Sequence, residues 1–410
     1  MTEILVGCKN FDFFTKKLLE DMTTVIVASE TQDIPSWLTN NSRVIRVKEL
    51  YDSRSKTLQL DGVQALLMLR ALGDVDGSSH VFCNQEANLE VAEQIRRELG
   101  SFDHLKGKTE CFREKPLMKD AILSAGLRAP RYCVLASNPD TRIYKSLVET
   151  IGLRMIIKPC ASVGSRGVYK VFTRSDFDDF VRDSANDGCT YEAEEFIDGT
   201  LLEFDFAMQR NVCLARAVSR YSCPMADLQE GCTLASIMIT PSSDLFKKIE
   251  AFGLACAEAL EAKDGCFHME LFLTKEGELV FLEIAARSPG LLTVPAYKSW
   301  LGINFYDIEL FIQLDRDAAA LACPDSSFFS RPAFFAVFPK LTGIVTNLHV
   351  PILKGEYQIK WRVKVDEAVV ATNTNIDYAG LLFLTANNEE DAISDFNYLI
   401  RDFVPVSYAR

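Results

Sequence analysis

Cys266-Phe-His-Met-Glu-Leu-Phe-Leu273 and Leu279-Val-Phe-Leu-Glu-Ile-Ala-Ala286 both carry the period-two alternation of β-strands. The stretch between them, Thr274-Lys-Glu-Gly-Glu278, reads as a turn, with Gly277 free to adopt positive φ. A turn centred on Glu276 and Gly277 sets Glu270 opposite Glu283, His268 opposite Ala285 and Cys266 opposite Arg287, all on one face. Like charges opposed across a sheet destabilise it, so a hairpin that keeps two glutamates face to face calls for a cation between them. Carboxylates, water and phosphate oxygens together form the coordination that Mg²⁺ prefers. The hairpin is therefore expected to floor a metal–nucleotide site, with Glu270 and Glu283 as metal ligands.

The 410-residue chain is too long for one small core, and its 48% hydrophobic and 25% charged residues describe a globular protein. A formal charge of −13 argues against nucleic acid and anionic membrane as partners, while leaving room for a local phosphate pocket. Met1-Thr-Glu-Ile-Leu-Val-Gly7 lacks the form of a secretory signal, and no run approaches the roughly 18 apolar residues of a membrane span. The 12 cysteines show no CxxC pair, and several sit inside apolar runs, which suits a reduced, cytoplasmic protein. The four histidines are scattered, so a zinc site has no support.

The pattern divides into three units. Residues 1–105 alternate strands (Ile4–Val6, Thr24–Ala28, His80–Cys83) with helices at 60–72 and 88–99, an α/β plan with a parallel sheet. No GxGxxG accompanies it, which argues against the dinucleotide-binding version. Residues 106–190 form a small α+β lobe: helix Lys115–Ala125, strand Tyr132–Val134, helix 139–151, strand Arg154–Lys158, strand Val168–Phe172 and helix 174–184. Residues 191–410 are mainly antiparallel β. Their expected strands are Tyr191–Ile197, Leu202–Met208, Cys213–Tyr221, the acidic hairpin, Phe334–Phe338, Val363–Val365 and Gly380–Thr385, with helices 243–262 and 389–402.

Within the small lobe, Met155-Ile-Ile-Lys-Pro-Cys-Ala-Ser-Val-Gly-Ser-Arg-Gly-Val-Tyr-Lys170 joins a strand, a lysine, a small-residue loop and a returning strand. Small residues let backbone N–H groups close around phosphate oxygens, and Lys158 adds a point charge. Ser162, Ser165 and Arg166 are further donors. The bland reading is an ordinary hairpin loop; the acidic hairpin beyond it favours the phosphate role. Gly107-Lys108-Thr109 resembles the end of a P-loop, but Phe102 stands where that motif requires glycine. Glu192-Ala-Glu-Glu-Phe-Ile-Asp-Gly-Thr-Leu-Leu-Glu203 offers a strand end whose backbone can meet a purine, or else a solvated acidic edge. Arg287-Ser-Pro-Gly290 follows the hairpin, and Arg287 is suited to a bidentate hold on a substrate carboxylate or acyl phosphate, the alternative being simple neutralisation of the glutamates.

In this order the pieces resemble the ATP-grasp superfamily over most of the chain. The small lobe opens with Lys115-Pro-Leu-Met-Lys-Asp-Ala-Ile-Leu-Ser-Ala-Gly-Leu-Arg-Ala-Pro130; then come Ile156-Ile-Lys-Pro159 with its loop, Glu194-Glu-Phe-Ile-Asp-Gly199 and the paired acids. The resemblance implies an N-terminal parallel-sheet domain, a lid lobe and a larger, mainly antiparallel domain. It implies that Lys115 and Lys158 contact ATP phosphates and that Ser162, Gly164, Ser165, Arg166 and Gly167 belong to a flexible lid. It further implies that backbone at Glu195, Phe196 and Ile197, with Glu194, holds adenine, and that Glu203 lies near the ribose or second substrate. Glu270 and Glu283 would bind one or two Mg²⁺, with Mn²⁺ as the alternative ion. Many members carry Glu-x-Asn-x-Arg at the second acid; here Glu283-Ile-Ala-Ala-Arg287 places the non-coordinating Ala285 at the asparagine position. With His268-Met-Glu270, that departure resembles the branch of L-amino acid ligases, which make dipeptides. The expected activity is an ATP-dependent ligase joining a small-molecule carboxylate to an amine through an acyl phosphate, with Arg287 and His268 as catalytic residues and a homodimer as an allowed assembly. Competing readings are a carboxylase or purine-type ligase using bicarbonate or formate, and a non-catalytic ATP-binding regulatory protein.

Overall fold

The computed structural model describes residues 2–136, 138–324, 327–372, 374 and 377–409. Near the N-terminus, Glu3–Val6, Thr24–Ser29, Ser42–Val47 and Val81–Phe82 form a parallel sheet in the spatial order 42–47, 24–29, 3–6, 81–82. Strands 3–6 and 24–29 are buried at every position, as expected when both faces of a parallel sheet are covered. The edge strand Ser42–Val47 and the small hairpin Glu49–Asp52/Thr57–Leu60 were not legible from patterning, because Ser42–Val47 and Thr57–Leu60 mix exposed and buried residues and Glu49–Asp52 buries none.

A second, antiparallel sheet has the order Tyr132–Val134, Tyr191–Glu195, Met155–Pro159, Tyr169–Val171. Tyr191–Glu195, grouped by sequence with the third unit, hydrogen-bonds between two strands of the small lobe. Helix Arg174–Asp183 covers this sheet and is started by a capping box between Thr173 and Asp176. Helix Lys115–Ser124 has proline in its first turn and is followed by Gly126 at φ 75°.

The third sheet has eight antiparallel strands. Their order is Leu279–Ala285, Gly265–Thr274, Gly199–Gln209, Val212–Tyr221, Leu234–Met238, Ala333–Phe338, Gly380–Thr385, Glu356–Trp361. The expected strand at Val363–Val365 does not form; strands Glu356–Trp361 and Ala368–Val369 flank it. Helix Phe305–Gln313, buried on nearly all sides, lies between this sheet and the N-terminal one. Gln313 completes the contact: its side chain accepts from Cys83 N–H and donates to Cys83 O, both at 3.0 Å. Among the described residues no helix is long and apolar enough to cross a membrane.

The acidic hairpin reaches its expected pairing by a different route. Thr274 N–H donates to Glu278 O at 2.9 Å, and Gly277 has φ 83°, so the loop holds Lys275, Glu276 and Gly277 rather than Glu276 and Gly277 alone. That extra residue shifts the register to Leu273↔Leu279, Phe272↔Val280 and Leu271↔Phe281. A β-bulge at Leu282 then shifts it back, giving Glu270↔Glu283 and His268↔Ala285. Arg287 is not part of the ladder: the strand ends at Ala285, and Arg287 N–H turns back to Ala285 O at 2.9 Å.

Candidate nucleotide and metal site

A cavity of about 290 Å³ lies between the four-stranded sheet and the hairpin end of the eight-stranded sheet. Its charged wall starts with helix Lys115–Ser124, where Lys115 and Lys119 are four residues apart and share a face. Lys115 Nζ donates to Ser162 O at 2.8 Å and lies 3.3 Å from Glu283 Oε2. Lys119 contacts Glu192 and sits 2.8 Å from Glu194 Oε2, and none of its surface is exposed. Lys158 Nζ is 2.7 Å from Glu194 Oε1 and 3.9 Å from Glu192 Oε1. Glu192 and Glu194, two apart on one strand, thus face both lysines. Burial works to lower the Lys158 ammonium, but Glu194 and Glu192 outweigh it and raise it above the ordinary lysine value. Glu283 is pulled the other way: against burial, Lys115 and Lys158 bring it down to about 2.

The small-residue loop closes over this wall. Gly164, Ser165 and Gly167 have φ of 66°, 58° and 69°, a conformation in which successive N–H groups can converge on an anion. The φ of Gly167 favours glycine, and a Cβ there would also sit tightly, 3.1 Å from Pro159 Cγ. Ser162, Gly164 and Ser165 line the cavity, and Arg166 and Gly167 are not among its lining residues.

The opposite wall is apolar: Ile156, Phe172, Phe196, Ile197, Met225, Phe272 and Leu282. Arg154 stacks on Phe196 at 4.1 Å and on Phe172 at 4.8 Å. Glu195 lines the cavity, but its carboxylate is held by Arg128 at 3.1 and 3.0 Å. That leaves the backbone of 195–197 as polar surface available on this apolar wall. The mouth is bridged by Lys170, 2.5 Å from both Asp227 Oδ1 and Glu230 Oε1, which ties the small lobe to the segment after strand Val212–Tyr221.

On the sheet, Glu203↔Glu270 and Glu270↔Glu283 are consecutive pairs, so three carboxylates form one row. Asp205↔His268↔Ala285 is the next row on that face. Ser236 Oγ donates to Glu203 Oε1 at 2.5 Å, while Glu203 Oε2 is buried with no hydrogen-bond partner. Burial, then the neighbouring Asp205, pushes Glu203 up to about 8. His268 Nδ1 is 2.7 Å from Asp205 Oδ1, and Tyr297 donates to Asp205 Oδ2 at 2.7 Å. Burial disfavours charge on His268, but Asp205 overcomes it and raises the imidazole to about 10. Its Nε2 lies 3.5 Å from Glu270 Oε1. An all-carboxylate row with an orphaned buried oxygen fits a hard divalent cation, which takes oxygen ligands. Glu270 and Glu283 line the cavity; Glu203 and His268 lie beside it in the sheet.

Arg287 pairs with neither glutamate of the hairpin. Its Nε and Nη2 donate to Glu86 Oε2 at 3.0 and 2.8 Å, and Arg113 Nη1 donates to Glu86 Oε1 at 2.8 Å. Burial works to raise Glu86; Arg287 and Arg113 together hold it below the usual carboxylate range. Arg113 also donates to Ala161 O at 3.0 Å, so this triad connects the N-terminal unit, the hairpin end and the start of the small-residue loop. The sequence reading missed Glu86, Arg113, Lys119, Glu192 and Asp205. Spacing held a signal for three of them: Lys119 is four residues after Lys115, and Glu192 and Asp205 each alternate with an acid already singled out. Glu86 carries no local signal.

Residues 151–295 match the ATP-grasp domain family. The chain is 27% identical to the D-alanine–D-alanine ligase of Oceanobacillus iheyensis over 49% of its own length and 57% of that protein. It is 24% identical to the L-arginine-specific L-amino acid ligase of Bacillus subtilis over 59% of its own length and 60% of that protein. The match thus spans less than two thirds of either relative. The fold superposes on the crystal structure of an L-amino acid ligase from Bacillus licheniformis with a TM-score of 0.76 at 16% identity, covering 100% of this chain and 99% of that one. It also superposes on the carboxyaminoimidazole ribonucleotide synthase of Aspergillus clavatus complexed with ATP, with a TM-score of 0.68 at 14% identity and 97% coverage of both chains. The chain carries an ATP-grasp domain within an ATP-grasp fold.

Proposed function

We propose that this protein is an ATP- and Mg²⁺-dependent carboxylate–amine ligase that joins two L-amino acids into a dipeptide, with release of ADP and phosphate. The observation that carries the reading is the cavity itself, which brings an apolar slot, Lys115, Lys158, Glu270 and Glu283 into one enclosure. The D-alanine–D-alanine ligase and L-amino acid ligase relatives support this substrate class. Adenine would sit between Ile156, Phe172, Phe196 and Leu282, against the backbone of 195–197. Lys115, Lys158 and the N–H groups of 162–165 would hold the phosphates. Glu270 and Glu283 would hold Mg²⁺, whose chemistry when bound is to offset charge on the transferring phosphoryl group.

In this reading the substrate carboxylate attacks the γ-phosphorus, ADP leaves, and an acyl phosphate forms. The amine of the second amino acid then attacks the acyl carbon, the C–O bond to phosphate breaks, and the departing phosphate carries away the amine's proton as hydrogen phosphate. Arg287, aimed by Glu86, stabilises the oxyanion of that second step. His268, kept cationic by Asp205, positions the acidic row and is not free to accept the amine's proton. No nucleophilic side chain is required, because the covalent intermediate is carried by the substrate.

The test is an ADP and phosphate release screen with Mg·ATP over pairs of L-amino acids, with product masses determined. A dipeptide mass accompanying phosphate release is expected. Phosphate release that depends on bicarbonate and not on a second amino acid would replace this reading with a carboxylase. No release with any pair would overturn it.

A further inference from the structure

A second, larger cleft of about 610 Å³ opens where strand Val212–Tyr221 ends and the C-terminal helix Glu389–Arg401 runs out. It does not share the nucleotide cavity's wall. Glu203 pairs with Ser219 and Leu202 with Arg220, so Arg220 projects from the sheet face opposite the acidic row. Two arginines line this cleft, Arg220 from the strand and Arg401 from the last turn of the helix. Arg220 is half-buried, with its guanidinium 4.7 Å from the Phe396 ring. The charged group that acts on it is not a carboxylate but Arg401: burial first, then Arg401, lowers its pKa from the ordinary value. Among the described residues neither guanidinium forms an ion pair with a carboxylate.

Acidic residues outnumber basic ones 57 to 44 in this chain. Two neighbouring arginines left without a carboxylate are therefore an electrostatic anomaly of the same kind as the paired glutamates, with the opposite sign. Burying one of them costs free energy unless an anion compensates. Planar guanidinium forks match phosphate and carboxylate oxygens bidentately. Asn397 lies four residues before Arg401, so its amide faces the same cleft from the same side of the helix. Phe403 and Tyr408 add aromatic surface to the lining, and the volume falls in the range of small-molecule sites.

We propose that this cleft binds a small organic dianion, a phosphate monoester or a dicarboxylate, whose charged head lies between Arg220 and Arg401 and whose body rests on Phe403 and Tyr408. Its place on the far face of the sheet makes it separate from the nucleotide site, and the segment 222–233 connects the two. That segment supplies Ser222, Cys223 and Thr233 to this cleft, and Met225 and Asp227 to the nucleotide cavity. Occupancy here is thus expected to bias the Lys170–Asp227 bridge.

The test is isothermal titration calorimetry of the full chain with phenyl phosphate and, separately, with succinate. Arg401→Ala and Arg220→Gln should each weaken binding by about tenfold or more, the loss expected for a charge-assisted fork. Arg401 is exposed, so its variant tests the site without burdening the fold. The tighter probe identifies the head group. Binding of neither probe would overturn the proposal, as would binding that survives both arginine substitutions.

Discussion

Lys119→Met removes a cation that is sealed between two carboxylates and does not itself line the proposed nucleotide cavity. Lys119, Glu192 and Glu194 are each at most 3% exposed. In the intact protein burial works to raise Glu194, and Lys119 and Lys158 together hold it below its ordinary value. Without Lys119, two buried carboxylates face Lys158 alone, and breaking a buried ion pair from one side costs about 3–5 kcal/mol. Against a total stability of roughly 5–15 kcal/mol, that is a large share. The change is local to strand Tyr191–Glu195, so the direct assay is amide hydrogen exchange of that strand by mass spectrometry. Exchange should accelerate by roughly two to four decades, since each ~1.4 kcal/mol is tenfold. The loss should be smaller at pH 5 than at pH 8. In the variant a carboxylate of the pair holds a proton when folded that the unfolded chain releases, so stability falls as pH rises. Lys119→Met with Glu192→Gln restores the charge balance and should recover at least ~2 kcal/mol. A single variant within ~1 kcal/mol of the parent, or a double variant no better than the single, would refute the account.

Glu283→Gln should reduce ligase turnover at least about a hundredfold while circular dichroism stays unchanged, because the side chain keeps its shape but loses a charge held beside Lys115; full activity would sink the metal assignment. Lys158→Ala should raise the dissociation constant for an ATP analogue about tenfold or more in calorimetry, and an unchanged value would remove its phosphate role. Gly253→Ala should destabilise the protein by about 1–3 kcal/mol in chemical denaturation despite alanine's higher helix propensity, because its Cβ would lie 2.3 Å from Cδ1 of the fully buried Phe204. Glu309 offers a pH test. Burial pushes its carboxyl up to about 8, so the folded protein keeps a proton that the unfolded chain loses from about pH 4.5 upward. Its contribution should therefore decline by ~1.4 kcal/mol per pH unit between about pH 5 and 8. Glu309→Met should flatten that slope in melts across this range, whatever it does to stability at any single pH.

Much of the chemistry was legible because it is local. Strand periodicity put His268 and Glu270 on one face, and the residues from Lys158 to Gly167 declared a strand, a charge and a small-residue loop. Helix Lys115–Ser124 and strand Tyr132–Val134 could be read from caps, glycine and apolar spacing. Strands Leu234–Met238 and Ser42–Val47 could not, because what makes them strands is the neighbour each pairs with.

The acidic hairpin marks the boundary most clearly. Alternation determined that His268 and Glu270 share a face of their strand, since side-chain direction is a property of the strand itself; whether Glu283 meets them depends on register. Tertiary structure decided how the register is achieved: a three-residue loop and a bulge at Leu282 offset one another, and the bulge turns Leu282 and Glu283 into the same cavity. It also decided the partner of Arg287. Glu86 lies far away in sequence, and an ion pair between distant residues leaves no periodic trace in either segment. Local geometry is written in spacing; charge compensation across lobes exists only once the chain has folded.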